Sequence, residues 1–292
     1  MKKILVVICL IILAFNANAQ RSEYGIFGGT SFYMGDINTS KVFYRTQPAF
    51  GIVYRYNLDP HWAFRLNALY GTVEGFDADF GNTRNLSFKS PIMEFSALIE
   101  LNFMQYFTGS KSHRFSPFIF VGLGIFSFNP QAQYTDENGN TNWHDLQPLG
   151  TEGQGLVAYP DKKPYSLTQV SIPFGIGFKF GISKTVCIGL EWGMRKTFTD
   201  YIDDVSGTYI DPIYISAERG KIAAALADRT IELTDPITGS KMLQHQPGES
   251  RGNSATNDWY SFAGITVTFK LGFKSKPSCF DKGFNYKDNI YN

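Results

Sequence analysis

The chain has 292 residues, with 27 Lys and Arg against 26 Asp and Glu, for a net charge of +1. That balance gives no sign of a nucleic-acid binder, and 3 cysteines are too few for a disulfide framework or a cysteine metal site. Aromatics make up 16% and charged residues only 18%, where about 25% is usual; this mix suits a barrel with aromatic girdles and glycine-permitted bends.

Residues 1–19 read as a secretory signal peptide. Lys2 and Lys3 form a positive start, Ile4 to Phe15 an apolar run, and Ala17-Asn18-Ala19 a small-x-small cleavage site. The apolar run is about 12 residues, short of the roughly 20 that a spanning helix needs. Cys9 lies inside it and is not read as a lipidation site. No later stretch is apolar enough for a transmembrane helix.

Residues 20–271 read as one β-barrel. Eight runs alternate with the two-residue period of strands whose faces meet different surroundings. They are Ser22–Tyr33, Pro48–Tyr56, Trp62–Thr72, Met93–Phe103, Phe115–Phe128, Thr168–Phe180, Val186–Phe198 and Trp259–Leu271. Met93–Phe103 is the clearest: Met93, Phe95, Ala97, Ile99 and Leu101 suit lipid, and Glu94, Ser96 and Glu100 a polar interior. Phe115–Phe128 is apolar on both faces, so periodicity does not orient it.

The connections alternate in length. Those at 34–47, 75–88, 129–167 and 199–258 are long, and those at 58–61, 104–114 and 181–185 are short. Long outer loops and short periplasmic turns mark an eight-stranded antiparallel transmembrane β-barrel. A soluble sandwich shares the alternation but has no reason to gather its long loops at one end. The expected location is the outer membrane, among its lipids, with extracellular long loops and periplasmic termini. The last two loops exceed the roughly 15 residues beyond which a loop is usually functional, and are expected to fold over the mouth. Within the fourth, AERGKIAAALADR reads as an alanine-rich helical stretch.

Eight strands enclose a space that side chains fill. Arg55, Arg65, Glu94, Glu100, Lys179, Glu191, Arg195 and Lys270 should point into it as a packed polar core, with Arg65 and Glu100 the first pair expected. A porin is therefore disfavoured. No serine sits in a nucleophile setting and no histidine pair has metal spacing, so neither an enzyme nor a cofactor is expected. A lipid hydrolase would need a histidine and a serine meeting at the outer lipid rim. Asp200, Asp203 and Asp204 are a weak Ca²⁺ candidate without the DxDxDG pattern; capping and turn formation is the plainer role.

Residues 272–292 form a tail placed in the periplasm, where Lys274, Lys276, Phe280, Lys282 and Phe284 combine contact area with positive charge. Cys279 in the tail and Cys187 at the start of the seventh run would be free to pair in an oxidising periplasm.

Five segments occur in order: GIFGGTSFYMGDIN (Gly25–Asn38), SPFIFVGLGIFSFNP (Ser116–Pro130), LGTEGQG (Leu149–Gly155), IPFGIGFKF (Ile172–Phe180) and KTFTDYIDDVSGTYID (Lys196–Asp211). Together they resemble the PorG family of Bacteroidetes outer-membrane proteins. TEGQG and TFTDYIDDVS are the specific ones. The resemblance implies a non-enzymatic component of the type IX secretion system, which also serves gliding motility. It further implies contact with a periplasmic ring of a PorK-like lipoprotein and a PorN-like protein. A stand-alone structural or adhesive surface barrel, whose loops bind an external partner, is the other reading.

Overall fold

The computed structural model describes residues 21–235 and 239–270. The signal-peptide reading and the tail, with Cys279, Lys274, Lys276, Phe280, Lys282 and Phe284, lie outside them.

Among the described residues ten strands form: β1 Ser22–Met34, β2 Gln47–Asn57, β3 Trp62–Phe76, β4 Ser87–Asn102, β5 Phe115–Phe128, β6 Gln131–Thr135, β7 Thr141–Asp145, β8 Thr168–Gly181, β9 Val186–Thr197 and β10 Trp259–Lys270. The order β3-β2-β1-β10-β9-β8-β5-β4 closes on itself through a β3–β4 pairing. The result is an eight-stranded antiparallel barrel. The remaining two strands are the β6–β7 hairpin, which joins the upper end of β4 at a single pair, Lys89 and Gln131. β1 and β10 pair from Glu23–Lys270 to Met34–Trp259, which leaves the first and last described strands ending beside the short turns.

The alternation sorts side chains between two surroundings. Ile26, Phe50, Ile52, Phe95, Leu123 and Leu190 face outward and are exposed, whereas Val53, Leu98, Thr266 and Thr268 face inward and are buried. On β5, Phe118, Phe120, Phe126 and Phe128 turn inward, and Ile119, Val121, Leu123 and Ile125 turn outward. Glycines on neighbouring strands make room for the inward rings. A Cβ on Gly177 would lie 2.5 Å from Phe118 Cζ, and one on Gly175 2.6 Å from Phe120 Cζ. The sign of β5 is therefore set by partners distant in sequence.

β3 and β4 run on past the expected ends, to Phe76 and back from Ser87, and lift a hairpin above the wall. The alanine-rich stretch is two helices, α1 Pro212–Arg219 and α2 Lys221–Ala227. Gly220 breaks it with φ 87°. Asp211 caps α1 by accepting from the Ile213 N–H at 2.9 Å, and Pro212 occupies the first turn, where its missing donor costs nothing. One apolar core runs from the upper lumen (Phe126, Phe262) into the loops (Ile37, Leu146, Ile202, Leu226). The loops thus pack directly on the upper lumen.

Candidate functional site: a cap and a plug on a filled barrel

The lumen is built from charges that register brings together. Arg55 and Arg65 stand opposite each other on β2 and β3, which alone would repel. Carboxylates from other strands offset this. Arg55 donates to Glu23 at 2.9 Å and to Glu100 at 3.2 Å. Lys179 also donates to Glu100. The expected pair of Arg65 and Glu100 forms, at 3.5 Å, although it is not the shortest contact of Arg65. Arg65 engages Glu191 with both terminal nitrogens, at 2.7 and 3.2 Å. Its guanidinium also lies over the Phe120 ring, 4.7 Å from the centroid. Higher up, Arg195 Nε donates to Glu94 at 2.8 Å, and Glu94 also accepts from the Tyr260 hydroxyl at 2.9 Å. All eight of these ionised side chains are buried.

The segment between β4 and β5 is more than a turn. Tyr106, Thr108 and Ser110 are buried under the barrel. Thr108 donates to Glu23, Lys270 Nζ donates to the Thr108 carbonyl at 3.2 Å, and Lys179 Nζ lies 4.6 Å from the Tyr106 ring centroid. This plug closes the lower mouth. Glu23 was missing from the expected interior set, although its neighbours Tyr24 and Ile26 face out and the alternation points it inward. Cys187 is buried at the same end.

At the upper mouth, Leu149–Gly155 and Lys196–Asp211 meet. Glu152 accepts from the N–H of Ser206 at 2.9 Å, from that of Gly207 at 3.0 Å, and from Arg251 at 3.1 Å. Arg251 also donates to the Ala227 carbonyl at 3.1 Å and to the Asp204 carbonyl. Nearby, Arg84 holds Asp77 at 2.7 and 3.1 Å. Glu152 and Arg251 are both buried and neither was singled out from the sequence, although Glu152 lies inside the TEGQG segment that carried the resemblance.

Asp200, Asp203 and Asp204 have separate partners. The Tyr33 hydroxyl contacts Asp203 and, at 3.0 Å, Asp258. A phenol has one proton to give, so the two carboxyls compete for it. Burial pushes both well above the usual carboxylate range. Asp204 accepts from the Tyr165 hydroxyl at 2.6 Å and from Thr151, and burial raises it to about 6 despite Arg251. Burial raises Asp200 to about 7. Among the described residues no group of three or more His, Cys, Asp or Glu side chains is arranged to hold a metal ion.

Two of the histidines lie beside a hydroxyl side chain. Ser112 and His113 meet at 2.9 Å, but in the plug, at the end opposite the cap. In the cap, His245 stacks on Tyr209 with ring centroids 4.1 Å apart. Its Nδ1 lies 3.2 Å from Asp228 and 3.1 Å from Thr230. A relay needs acid and nucleophile on opposite ring nitrogens; here both fall on one.

Fold and site together define a filled antiparallel barrel, capped by its long loops, plugged by one turn, and apolar on its outer wall. The chain belongs to the DUF6089 family, described as a domain of unknown function, whose model matches residues 2–148. Among curated proteins nothing matches the sequence. Among solved structures it is similar to Ail, the attachment invasion locus protein of Yersinia pestis, with 8% identity, a TM-score of 0.38, and 85% of this chain and 96% of that one covered. It is also similar to Neisserial surface protein A, with 9% identity, a TM-score of 0.37 and coverage of 85% and 96%. A third is the outer membrane protein OprG of Pseudomonas aeruginosa, with 9% identity, a TM-score of 0.35 and coverage of 86% and 97%.

Proposed function

We propose that this chain is a non-enzymatic outer-membrane component of the type IX secretion machinery, a PorG-like platform. Its apolar wall lies in lipid, its cap faces outward, and its short turns and tail face a periplasmic ring of PorK-like and PorN-like proteins. The observation that carries this reading is the junction at Glu152. The two loop segments most specific to the resemblance, Leu149–Gly155 and Lys196–Asp211, build one buried node there. The filled lumen fits a platform better than a conduit.

The ring contact falls to the tail with the turn Gln105–His113. Tyr106, Thr108 and Ser110 of that turn face the barrel, and Gln105 is exposed on its outer side. The test is a pull-down from detergent-solubilised outer membrane with mass spectrometry, comparing the full chain with one truncated before Lys274. The full chain should bring down the ring proteins, and the truncated chain should assemble its barrel but lose them along with cargo secretion. Undiminished recovery from the truncated chain would overturn the tail's role.

The stand-alone surface barrel has one observation in its favour. The cap exposes apolar side chains, with Val157 at 85% and Ile213 at 70% exposure. A pull-down that recovers no ring protein with the full chain would favour it.

A further inference from the structure

The loop between β1 and β2 folds back over the outside of the barrel. Phe32 points outward from β1 yet is 0% exposed, whereas Phe50 and Ile52, outward on the next strand, are 60% and 64% exposed. Phe43 of the loop makes the difference. Its ring centroid lies 4.8 Å from that of Phe32 and 5.4 Å from that of Trp192 on β9. The loop therefore spans β10 at the seam where first and last strands join. Beneath it, the Trp192 indole donates to Ser261 Oγ at 3.0 Å, and Ser261 donates to the Gly193 carbonyl at 2.9 Å. The polar atoms under the loop are thus paired within the wall, as an apolar surrounding requires.

The loop is held in this pose. Phe43 has φ 56° and Arg45 φ 49°, the left-handed region that bulky side chains adopt only when their surroundings impose it. Arg45 is fixed by two bonds to Asp79, at 2.8 and 3.0 Å, and lies over the Phe76 ring. Lys41 is fixed between the Tyr44 and Phe80 rings, 4.7 and 4.4 Å from their centroids. Between these basic anchors, Val42 and Phe43 are exposed. Met194 continues the apolar face of β9 above Trp192, and Trp259 that of β10, so the Phe43 ring rests below the top of the apolar wall.

We propose that this loop is a lipid-binding strap, with Val42 and Phe43 dipping into the outer leaflet and Lys41 and Arg45 at the headgroup level. The proposal rests on the membrane reading above. Basic side chains flanking aromatic ones suit the bilayer boundary. The loop's backbone N–H and C=O groups need partners that hydrocarbon lacks, so the backbone stays among headgroups while only side chains descend. The strap would set the depth of the barrel on the seam side.

Spin labels at Val42→Cys, Ile265→Cys on the outer wall and Glu137→Cys at the hairpin tip test this. The full chain, with its native cysteines replaced by serine, is placed in phosphatidylcholine–phosphatidylglycerol nanodiscs, and oxygen and nickel-chelate collisions are compared. The expected oxygen-to-nickel ratio at Val42 is several-fold above that at Glu137 and below that at Ile265. Phe43→Gly fits the left-handed backbone but removes the ring, and should shift the Val42 label toward the aqueous value. A Val42 ratio equal to that of Glu137, with Ile265 still in lipid, would overturn the strap alone. Aqueous values at both Val42 and Ile265 would overturn the membrane reading and the strap with it.

Discussion

In the lumen, Glu100 meets Arg55, Arg65 and Lys179, and each cation stands on its own strand at a height fixed by register. In the cap, Glu152 meets Arg251 across 99 positions of sequence, and its remaining acceptor capacity is filled by backbone N–H groups of another loop. Both regions bury carboxylate against guanidinium. The lumen does so between strands of one hydrogen-bonded wall, whereas the cap does so between separate loops. Removing a lumen charge should therefore weaken the whole barrel, and removing a cap charge should open the cap alone.

The largest effect is expected at Glu100. Glu100→Ala leaves three buried cations short of a counter-ion and should cost about 3–5 kcal/mol, read as a lower urea midpoint for loss of the heat-modifiable gel band. A midpoint unchanged from wild type would break the comparison from the lumen side. Next is Glu152→Ala, which leaves Arg251 only Asp204 and the Ala227 carbonyl and strands two backbone donors, for a loss of about 3 kcal/mol. The loss should appear as faster proteolysis in 129–167 and 198–258, with the barrel's urea midpoint unchanged. Global unfolding would show that cap and wall are energetically one unit.

The third effect concerns the wall. Ile99→Arg sets a cation on the outward face towards the short-turn end of β4 and should cost about 2 kcal/mol, less than the same change near the midplane. Urea titration in lipid vesicles measures it. A penalty present in detergent but absent in lipid would contradict the outward assignment.

The smallest effect is that of pH on the cap. The folded-state values of about 7 for Asp200 and about 6 for Asp204 stand above an ordinary aspartate at 3.8. The closed cap therefore holds more protons than the open one, and its stability falls as pH rises through these values. Loop proteolysis should be slower at about pH 5 than at about pH 8 while the barrel is unaffected. Asp204→Asn should flatten the difference. Faster cutting at the lower pH would reverse the sign and refute it.

The two regions also differ in how far they could be read from sequence. The wall was legible because two surroundings impose a two-residue period: Thr168–Gly181 begins where the alternation begins. Inward and outward residues follow from the same count except on Phe115–Phe128, where both faces are apolar and the orientation depends on glycines of a neighbouring strand. Which inward charges touch was legible only in part: Arg65 meets Glu100 on the adjacent strand, but its shorter bonds run to Glu191, which the strand order does not announce. The cap was legible as a place but not as a structure. The β6–β7 hairpin, the break at Gly220 and the Glu152–Arg251 pair depend on contacts between loops, which local propensity does not encode. The plug was hidden for a similar reason: a segment of turn length reads as a turn until Tyr106 finds a lumen to fill.

The barrel is closed by its own chain, with Tyr106 below and the cap above. Planar-bilayer recording of the purified full chain tests this closure most directly. No stepwise conductance is predicted for the wild type, and brief openings for a double variant with Tyr106→Gly in the plug and Glu152→Ala in the cap. Steady porin-sized steps from the wild-type protein would contradict the account.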